Sequence, residues 1–392
     1  MIIKLRFLMI SQWFFALLFP GTILYYVAVT SHVIPPLVGG YFGAICALTL
    51  LMLFPLSVWD VLRRREVELV EFSYMLFLLF FTAIVIWNGV FGGSSVMAWH
   101  LVSVLQSLAV FVLCKRVFSY SIEGSRVIFL CWLAASICIL TFTVDGRFML
   151  RGMADDVGQI PSYQTFALCY FIATVFIVRS AENRQLRMGV HVVALACLYI
   201  NSARSEFAGY IFFALLLEFL SYRRKSTPII VGAIVIGLSS AMLAAGAITI
   251  PESRVATLIN LQEDNSNNER DRMAREGMEK IFNSPLVGAY GEYEEGGYIH
   301  NIMSVWQETG IVGGVFFTLL IFLPLIQGCV NYIFGGSTHH SNIAVSLLAT
   351  SILLLIVGKY FTYLMLPAAL AIYAASKPMN LRSQASLGAV RK

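Results

Sequence analysis

Long apolar segments alternate with short polar ones along almost the whole chain. Each apolar segment is close to the roughly 20 residues that cross a bilayer as a helix. The apolar runs are continuous rather than alternating, which favours helices over strands. We therefore predict an all-α polytopic membrane protein with about 12 transmembrane helices. The predicted spans are 8–30, 34–57, 70–91, 97–118, 127–145, 161–179, 187–203, 205–222, 228–249, 300–325, 342–358 and 360–376.

Composition and charge narrow the class of protein. Of the 392 residues, 58% are hydrophobic and only 12% are charged, and the mean hydropathy is +0.78. These values exclude an ordinary soluble domain and favour a single membrane domain over 1–392. No two of the seven cysteines have the spacing of a zinc or redox pair, so neither a disulfide framework nor a zinc site is predicted. With both termini in the cytoplasm, most of the 27 lysines and arginines fall in inward-facing segments, as the positive-inside rule requires.

The longest polar stretch is 250–299, which we predict to be one large outward-facing loop between the ninth and tenth spans. Four helix-capping residues occupy 265–268, and apolar residues then follow at helical spacing up to Phe282. A short amphipathic helix is therefore expected, ending just before Pro285.

Two arginines, Arg270 and Arg272, lie in the first turn of that expected helix. The helix dipole disfavours cations at this position. A bound anion would explain them, because free backbone N–H groups and guanidinium groups would then converge on it. A solvated, charged helix end is the alternative.

Polar residues also recur at helical spacing where the loop enters the tenth span. His300, Ser304, Gln307 and Glu308 would share one face of a helix that begins at His300. Such a stripe is unfavourable in a membrane unless it lines a wet cavity or the protein interior. We therefore predict a functional site with His300 at its mouth and Glu308 about 12 Å farther along the helix. A simple interfacial histidine is the alternative.

Two other outward features carry candidate ligand-binding groups. The turn between the seventh and eighth spans is very tight, which places Arg204 at the outer membrane face, with Glu206 as an alternative ion-pair partner. The 146–160 loop leads to Tyr163 and Gln164 at the head of the sixth span. Aromatic and amide groups suit sugar binding, although an ordinary solvated loop would explain this pattern as well.

Three motifs together resemble those of the O-antigen polymerase and O-antigen ligase superfamily. They are the turn Asn-Ser-Ala-Arg-Ser at 201–205, Arg270 followed by Pro-Leu-Val-Gly at 285–288, and His-Asn at 300–301 followed by Glu-Thr-Gly-Ile-Val-Gly at 308–313. The motifs cover about 160–320. Members often have an aromatic residue four positions after the loop arginine, where this chain has Ala274, so its loop packing is expected to differ. The glycines from Gly310 onward are expected to allow close helix packing.

The resemblance implies a GT-C-like glycosyltransferase of the bacterial inner membrane, with cytoplasmic termini and a periplasmic active site. Members act on glycans linked to undecaprenyl pyrophosphate and use neither a metal nor a nucleotide sugar, so no cofactor is expected. The implied partners are that lipid-linked glycan, membrane lipid and a polysaccharide chain-length regulator, with no nucleic acid. His300 would be the catalytic base, and Arg204 and Arg270 would bind the pyrophosphate. The other candidate substrate-binding residues are Tyr163, Arg272, Asn301 and Glu308.

The residue types suit this chemistry independently of the resemblance. A lipid pyrophosphate is a good leaving group. Arginines can neutralise the negative charge that develops on it as it leaves, by donating paired hydrogen bonds. A neutral histidine can accept the proton of the attacking hydroxyl. We expect direct displacement with inversion at the anomeric carbon.

Several functional hypotheses follow from these features. The leading one is a polymerase that joins repeat units of an O-antigen, capsule or exopolysaccharide. The alternative enzyme is an O-antigen ligase that transfers the glycan to lipid A-core. A lipid-glycan flippase would place charged residues near the membrane midplane, whereas here they gather at the outer face. A non-enzymatic scaffold would leave the outer arginines unexplained.

Overall fold

The computed structural model describes residues 2–37, 40–64, 67–92, 94–119, 126–144, 146–148, 150, 161–181, 183–221, 265–293, 296–334 and 338–376. The predicted ninth span and most of the 146–160 loop lie outside these residues. The described part of the chain is helical and contains thirteen helices. They are α1 (Ile2–Leu18), α2 (Pro20–Thr30), α3 (Tyr41–Arg64), α4 (Leu69–Phe91), α5 (Met97–Ser119), α6 (Arg126–Thr141), α7 (Tyr163–Ser180), α8 (Arg184–Asn201), α9 (Arg204–Ser221), α10 (Asn265–Asn283), α11 (Ser304–Ile333), α12 (His339–Val357) and α13 (Met365–Ser376).

Six of the described helices are long and apolar enough to cross a membrane, namely α3, α4, α5, α7, α11 and α12. Helices α1 and α2 give a seventh candidate if the bent pair is one span. The axis bends by 49° between them, at Pro20, which has no N–H to donate to the preceding turn. The all-helical, membrane-type fold is therefore confirmed, while the count of about twelve spans stays a prediction.

The centre of the bundle is formed by α7 and α13. Both helices are apolar on every side, and nearly all of their residues are buried. A helix of this kind belongs in the interior of a protein. Helix α13 packs against α5 and α12, and α7 packs against α8. Large apolar side chains such as Leu51 and Leu79 lie exposed on the outside, where lipid would replace water.

Two ends of the bundle can be distinguished by the helix termini that meet there. Helices α5, α7, α9 and α11 begin at one end, beside the segment 358–364, and we call it the His300 end. Helix α8 begins and α9 finishes at the opposite end, where Arg187 contacts Glu218. We call this the Arg187 end.

Candidate functional site at the His300 end

Helix α10 carries the two loop arginines and packs on the start of α11. It runs over Asn265–Asn283, so the predicted amphipathic helix is present, but the predicted capping residues lie inside it. Gly277 and Ile281 are buried, as the apolar pattern predicts, whereas Phe282 is 75% exposed, contrary to it. A Cβ on Gly277 would collide with Ile299, so this glycine permits the close approach of the two segments.

Arg270 and Arg272 lie on different faces of α10, because they are two positions apart on the helix. Arg270 lies on the same face as Gly277, and its Nη1 is 3.1 Å from the position that a Cβ on Gly358 would occupy. The backbone oxygen of His300 is 3.8 Å from that position, so Arg270 and His300 meet there. Arg272 points to the other side, where it is about half exposed and bonds to Glu269 and Glu276 of its own helix. Of the two arginines, only Arg270 reaches the site.

The two glycine-containing motifs of the loop and of α11 pack against each other. Helix α11 is kinked at Gly310, whose φ of 67° lies in the left-handed region. The backbone N–H of Ile311 donates to the Pro285 carbonyl at 3.0 Å, and a Cβ on Gly310 would collide with Leu286. The expectation that Gly310 serves helix–helix packing is therefore wrong. It instead lets the 285–288 turn sit on the kinked helix.

His300 itself is not part of a helix, which corrects the predicted polar stripe. Helix α11 begins at Ser304, and His300 lies in a bend before it. The reason is Asn301, whose Oδ1 accepts the Met303 N–H at 2.8 Å and whose carbonyl accepts the Ser304 N–H at 3.0 Å. A side chain that bonds to the backbone in this way competes with helix formation. Asn301 thus shapes the turn that presents His300.

The surroundings of His300 keep its imidazole neutral. Its ring centroid is 4.4 Å from that of Tyr298. Burial, and then the positive charge of Arg270, lower the pKa of His300 to about 4, and Lys359 adds to this effect. A hydrogen bond from the ring to the Gly296 backbone acts in the opposite direction. At pH 7 a ring nitrogen of His300 is therefore available to accept a proton.

Lys359 is a component of the site that the sequence patterns did not single out. It lies in the segment 358–364, which separates α12 from α13, and only 8% of it is exposed. Its Nζ is 2.6 Å from Glu206 Oε1 and 3.3 Å from Gln164 Oε1. The hydroxyl of Tyr363 also donates to Glu206, at 2.8 Å. The sequence does contain one indication of this role, because a lysine between two apolar segments requires polar partners.

Two other predicted site residues begin helices at this end. Ser202 adopts a left-handed conformation (φ 63°) in the turn after α8, and Arg204 then starts α9, so the predicted tight turn is present. Tyr163 starts α7 after the capping residue Ser162. Each of these two residues lies close in sequence to a side chain that contacts Lys359.

Glu308 lies inside the protein and holds the loop to the bundle. It is fully buried, and its Oε2 accepts the Gly291 N–H at 3.2 Å. Burial raises the pKa values of Tyr293 and Tyr360, so both phenols stay protonated. The other carboxyl oxygen of Glu308, Oε1, has no hydrogen-bond partner among the described residues. The observed contacts of Glu308 anchor the loop.

His100 is a second anchor of the loop that the sequence patterns did not reveal. It is fully buried near the start of α5. Its Nδ1 is 2.8 Å from the Tyr290 hydroxyl, and its Nε2 is 2.9 Å from the Tyr360 hydroxyl. Both ring nitrogens are therefore engaged, and His100 joins the loop to the segment 358–364.

The charges that converge beside His300 suit an anionic ligand. No carboxylate of the described residues pairs with Arg270, and Lys359 adds a second cation within electrostatic range of His300. One guanidinium group can donate two parallel hydrogen bonds to the oxygens of a phosphate. The described part of the chain brings together no group of three or more His, Cys, Asp or Glu side chains that could hold a metal ion.

Comparison with protein-family models, with curated proteins and with solved structures finds no match to this chain.

Proposed function

We propose that this protein is a polysaccharide repeat-unit polymerase of the bacterial inner membrane. It would transfer a glycan from undecaprenyl pyrophosphate to a sugar hydroxyl at the periplasmic face. One observation carries the proposal: Arg270, Lys359 and a neutral His300 converge at one end of an apolar helical bundle. Positive charge beside a base at a membrane surface suits a substrate with an anionic head group and a lipid tail.

Arg270 is the proposed first ligand of the donor pyrophosphate. It is partly buried, so an ion pair with a phosphate would be less screened than one at an open surface. Arg204 at the head of α9 is the second proposed ligand. As the sugar–phosphate bond breaks, negative charge grows on the leaving pyrophosphate, and these groups stabilise it.

His300 is the proposed general base. It takes the proton of the acceptor hydroxyl while that oxygen forms a bond to the anomeric carbon. The bond between that carbon and the phosphate oxygen breaks at the same time, and undecaprenyl pyrophosphate leaves. Displacement from the opposite face inverts the anomeric carbon.

Arg270, the first proposed ligand of the donor, also affects the basicity of His300. Burial, and then the Arg270 and Lys359 charges, lower the pKa of His300. A bound pyrophosphate would cancel part of that charge and raise the pKa of His300 towards its ordinary value of about 6.5. The base would then gain strength when the donor is in place.

The proposal places the His300 end of the bundle at the periplasmic face of the membrane. Both termini would be cytoplasmic, and the Arg187 end would face the cytoplasm. Neither a metal nor a nucleotide sugar is required, since the pyrophosphate is already a good leaving group. A polysaccharide chain-length regulator is the proposed protein partner.

The proposal is tested in a strain deleted for this protein and complemented with wild type or His300→Ala. The surface glycan is separated on a gel. A polymerase predicts that the ladder is lost and that a single repeat unit remains on lipid A-core, with wild type restoring the ladder and His300→Ala failing to. Loss of all glycan from lipid A-core, with long chains on the carrier lipid, would identify a ligase instead. An unchanged ladder in the deletion strain would contradict both.

A further inference from the structure

Trp99 presents an aromatic surface at the His300 end of the bundle. It lies in the first turn of α5 and is 41% exposed. The ring packs on three others: its centroid is 4.6 Å from His100, 5.3 Å from Tyr360 and 5.4 Å from Tyr298. The rings of Trp99 and Tyr298 are nearly parallel, with an angle of 24° between them. The indole is therefore held in place by the loop and by the segment 358–364.

Tyr298 connects Trp99 to His300. The centroid of its ring is 5.4 Å from that of the Trp99 indole and 4.4 Å from that of the His300 ring. Trp99, Tyr298 and His300 thus form a row of three rings. Arg270 acts electrostatically on both Tyr298 and His300, and Lys359 acts on His300. The positive charge therefore lies towards the His300 side of this row, and Trp99 is its aromatic far end.

A tryptophan near a helix end in a membrane protein often serves only as an interfacial anchor. Trp87 provides the comparison within this chain. It lies near the end of α4 at the same end of the bundle, is 65% exposed, and has Phe91 as its ring neighbour at 4.7 Å. Trp87 therefore has the surroundings of an anchor, whereas Trp99 is fixed against three residues of the site.

We propose that Trp99 and Tyr298 form the binding platform for an acceptor sugar, with a pyranose ring of the acceptor glycan stacked on the exposed indole. This inference rests on the proposed function and adds the place and chemistry of the acceptor. One face of a pyranose carries several C–H groups that are slightly positive, and the face of an indole is negative. The accepting sugar lies at the end of the glycan away from its own carrier pyrophosphate, so the aromatic part of the site suits it.

The arrangement also gives the platform a catalytic consequence. A sugar on Trp99 lies next to Tyr298 and hence beside the base, while the donor pyrophosphate lies on the cations. His300 is then between the two substrates. Holding both reactants on fixed groups converts a two-body encounter into a reaction within one complex.

The test uses the full-length protein in lipid nanodiscs and two probes. The first probe is the repeat-unit oligosaccharide released from its carrier lipid by mild acid, and the second is inorganic pyrophosphate. Binding is measured by titration with NMR saturation transfer for the oligosaccharide and by calorimetry for pyrophosphate. The variants are Trp99→Leu, which keeps an apolar side chain but removes the ring, Trp99→Tyr, which keeps an aromatic face, and Trp87→Leu as the matched control.

We expect Trp99→Leu to weaken oligosaccharide binding about tenfold and to leave pyrophosphate binding unchanged. The affinity of Trp99→Tyr for the oligosaccharide is expected to stay within about threefold of the wild-type affinity. Trp87→Leu is expected to bind the oligosaccharide as wild type does. Equal affinity of wild type and Trp99→Leu, or no oligosaccharide binding by wild type, would overturn the inference. An equal loss in Trp87→Leu, or a loss of pyrophosphate binding in Trp99→Leu, would overturn it as well.

Failure of this inference is distinguishable from failure of the proposed function. If Trp99→Leu supports a normal ladder and binds the oligosaccharide normally while His300→Ala abolishes the ladder, the function stands and the acceptor platform does not. If His300→Ala leaves the ladder unchanged, the proposed role of His300 fails, and the oligosaccharide titration still decides the role of Trp99.

Discussion

The two ends of the helical bundle hold charged groups in opposite ways. At the Arg187 end, the guanidinium of Arg187 binds both oxygens of Glu218 between α8 and α9, with one contact at 3.0 Å. His191 adds a contact to the same carboxylate at 3.7 Å. At the His300 end, Arg270 has no carboxylate partner among the described residues.

This difference separates charges that hold helices together from charges that are available to a ligand. A buried ion pair with both partners in place is a structural contact, and removing one partner leaves an uncompensated charge. A half-buried cation without a counter-ion is poised to bind an anion. Lys359 is intermediate between these cases, because it is paired with Glu206 and its charge still lowers the pKa of His300.

Replacement of a histidine at each end gives the largest expected contrast. His300→Ala should lower turnover by about 10²–10⁴-fold, because general-base catalysis has that magnitude. His191→Ala should leave turnover per folded molecule unchanged, since His191 hydrogen-bonds to Tyr210 and lies 3.7 Å from Glu218, away from the site. Rates are measured with lipid-linked glycan in proteoliposomes. Equal losses in the two variants would contradict the division between the ends.

Replacement of Glu218 sharpens the structural side of the comparison. Glu218→Ala leaves Arg187 buried without its partner and should lower stability by about 3–5 kcal/mol. Glu276→Ala is the control, because Glu276 pairs with Arg272 on an exposed helix face, where such pairs contribute little. Thermal unfolding of the purified protein should show a clear drop for Glu218→Ala and none for the control. An unchanged midpoint for Glu218→Ala would mean that the pair is not a structural contact.

The pH dependence offers a finer test of the coupling between the cations and His300. A base must be neutral, so activity is lost as the pH falls through the pKa of His300. For kcat/KM, which reports the free enzyme, that pKa is about 4. For kcat the donor is bound and the pKa is expected to be higher, which moves the acid limb to higher pH. Identical acid limbs for the two parameters would exclude the coupling.

Arg270→Gln extends the same test in the free enzyme. Because the Arg270 charge lowers the pKa of His300, its removal should move the acid limb of kcat/KM upward. Lys359 stays in place, so the shift should be partial. A limb that stays in place would mean that Arg270 exerts no electrostatic effect on His300.

The apolar pattern predicted most of the described helices and the phase of α10, because those features depend on nearby residues. It could not predict the bend at His300, since Asn301 bonds to the backbone in preference to continuing a helix. The role of Gly310 was also hidden, because it depends on the contact between Leu286 and the kink in α11. Periodicity alone cannot distinguish either segment from a regular helix.

Other parts of the site depend on contacts between residues that are far apart in the sequence. The partners of Lys359 are 153 and 195 residues away, and those of His100 are 190 and 260 residues away. A hydropathy profile cannot show such pairings. It likewise cannot show that the charges within α8 and α9 are neutralised against each other.

The most direct test compares Arg270 with Arg272, two residues apart on one helix but on opposite faces. Full-length Arg270→Gln and Arg272→Gln proteins in nanodiscs are titrated with pyrophosphate-linked donor glycan. We predict that Arg270→Gln weakens donor binding at least about tenfold, in line with the loss of a charge-assisted hydrogen bond. Arg272→Gln is expected to bind as wild type does. Equal affinities for all three proteins, or an equal loss in both variants, would contradict the central claim that Arg270 provides the cation that binds the donor.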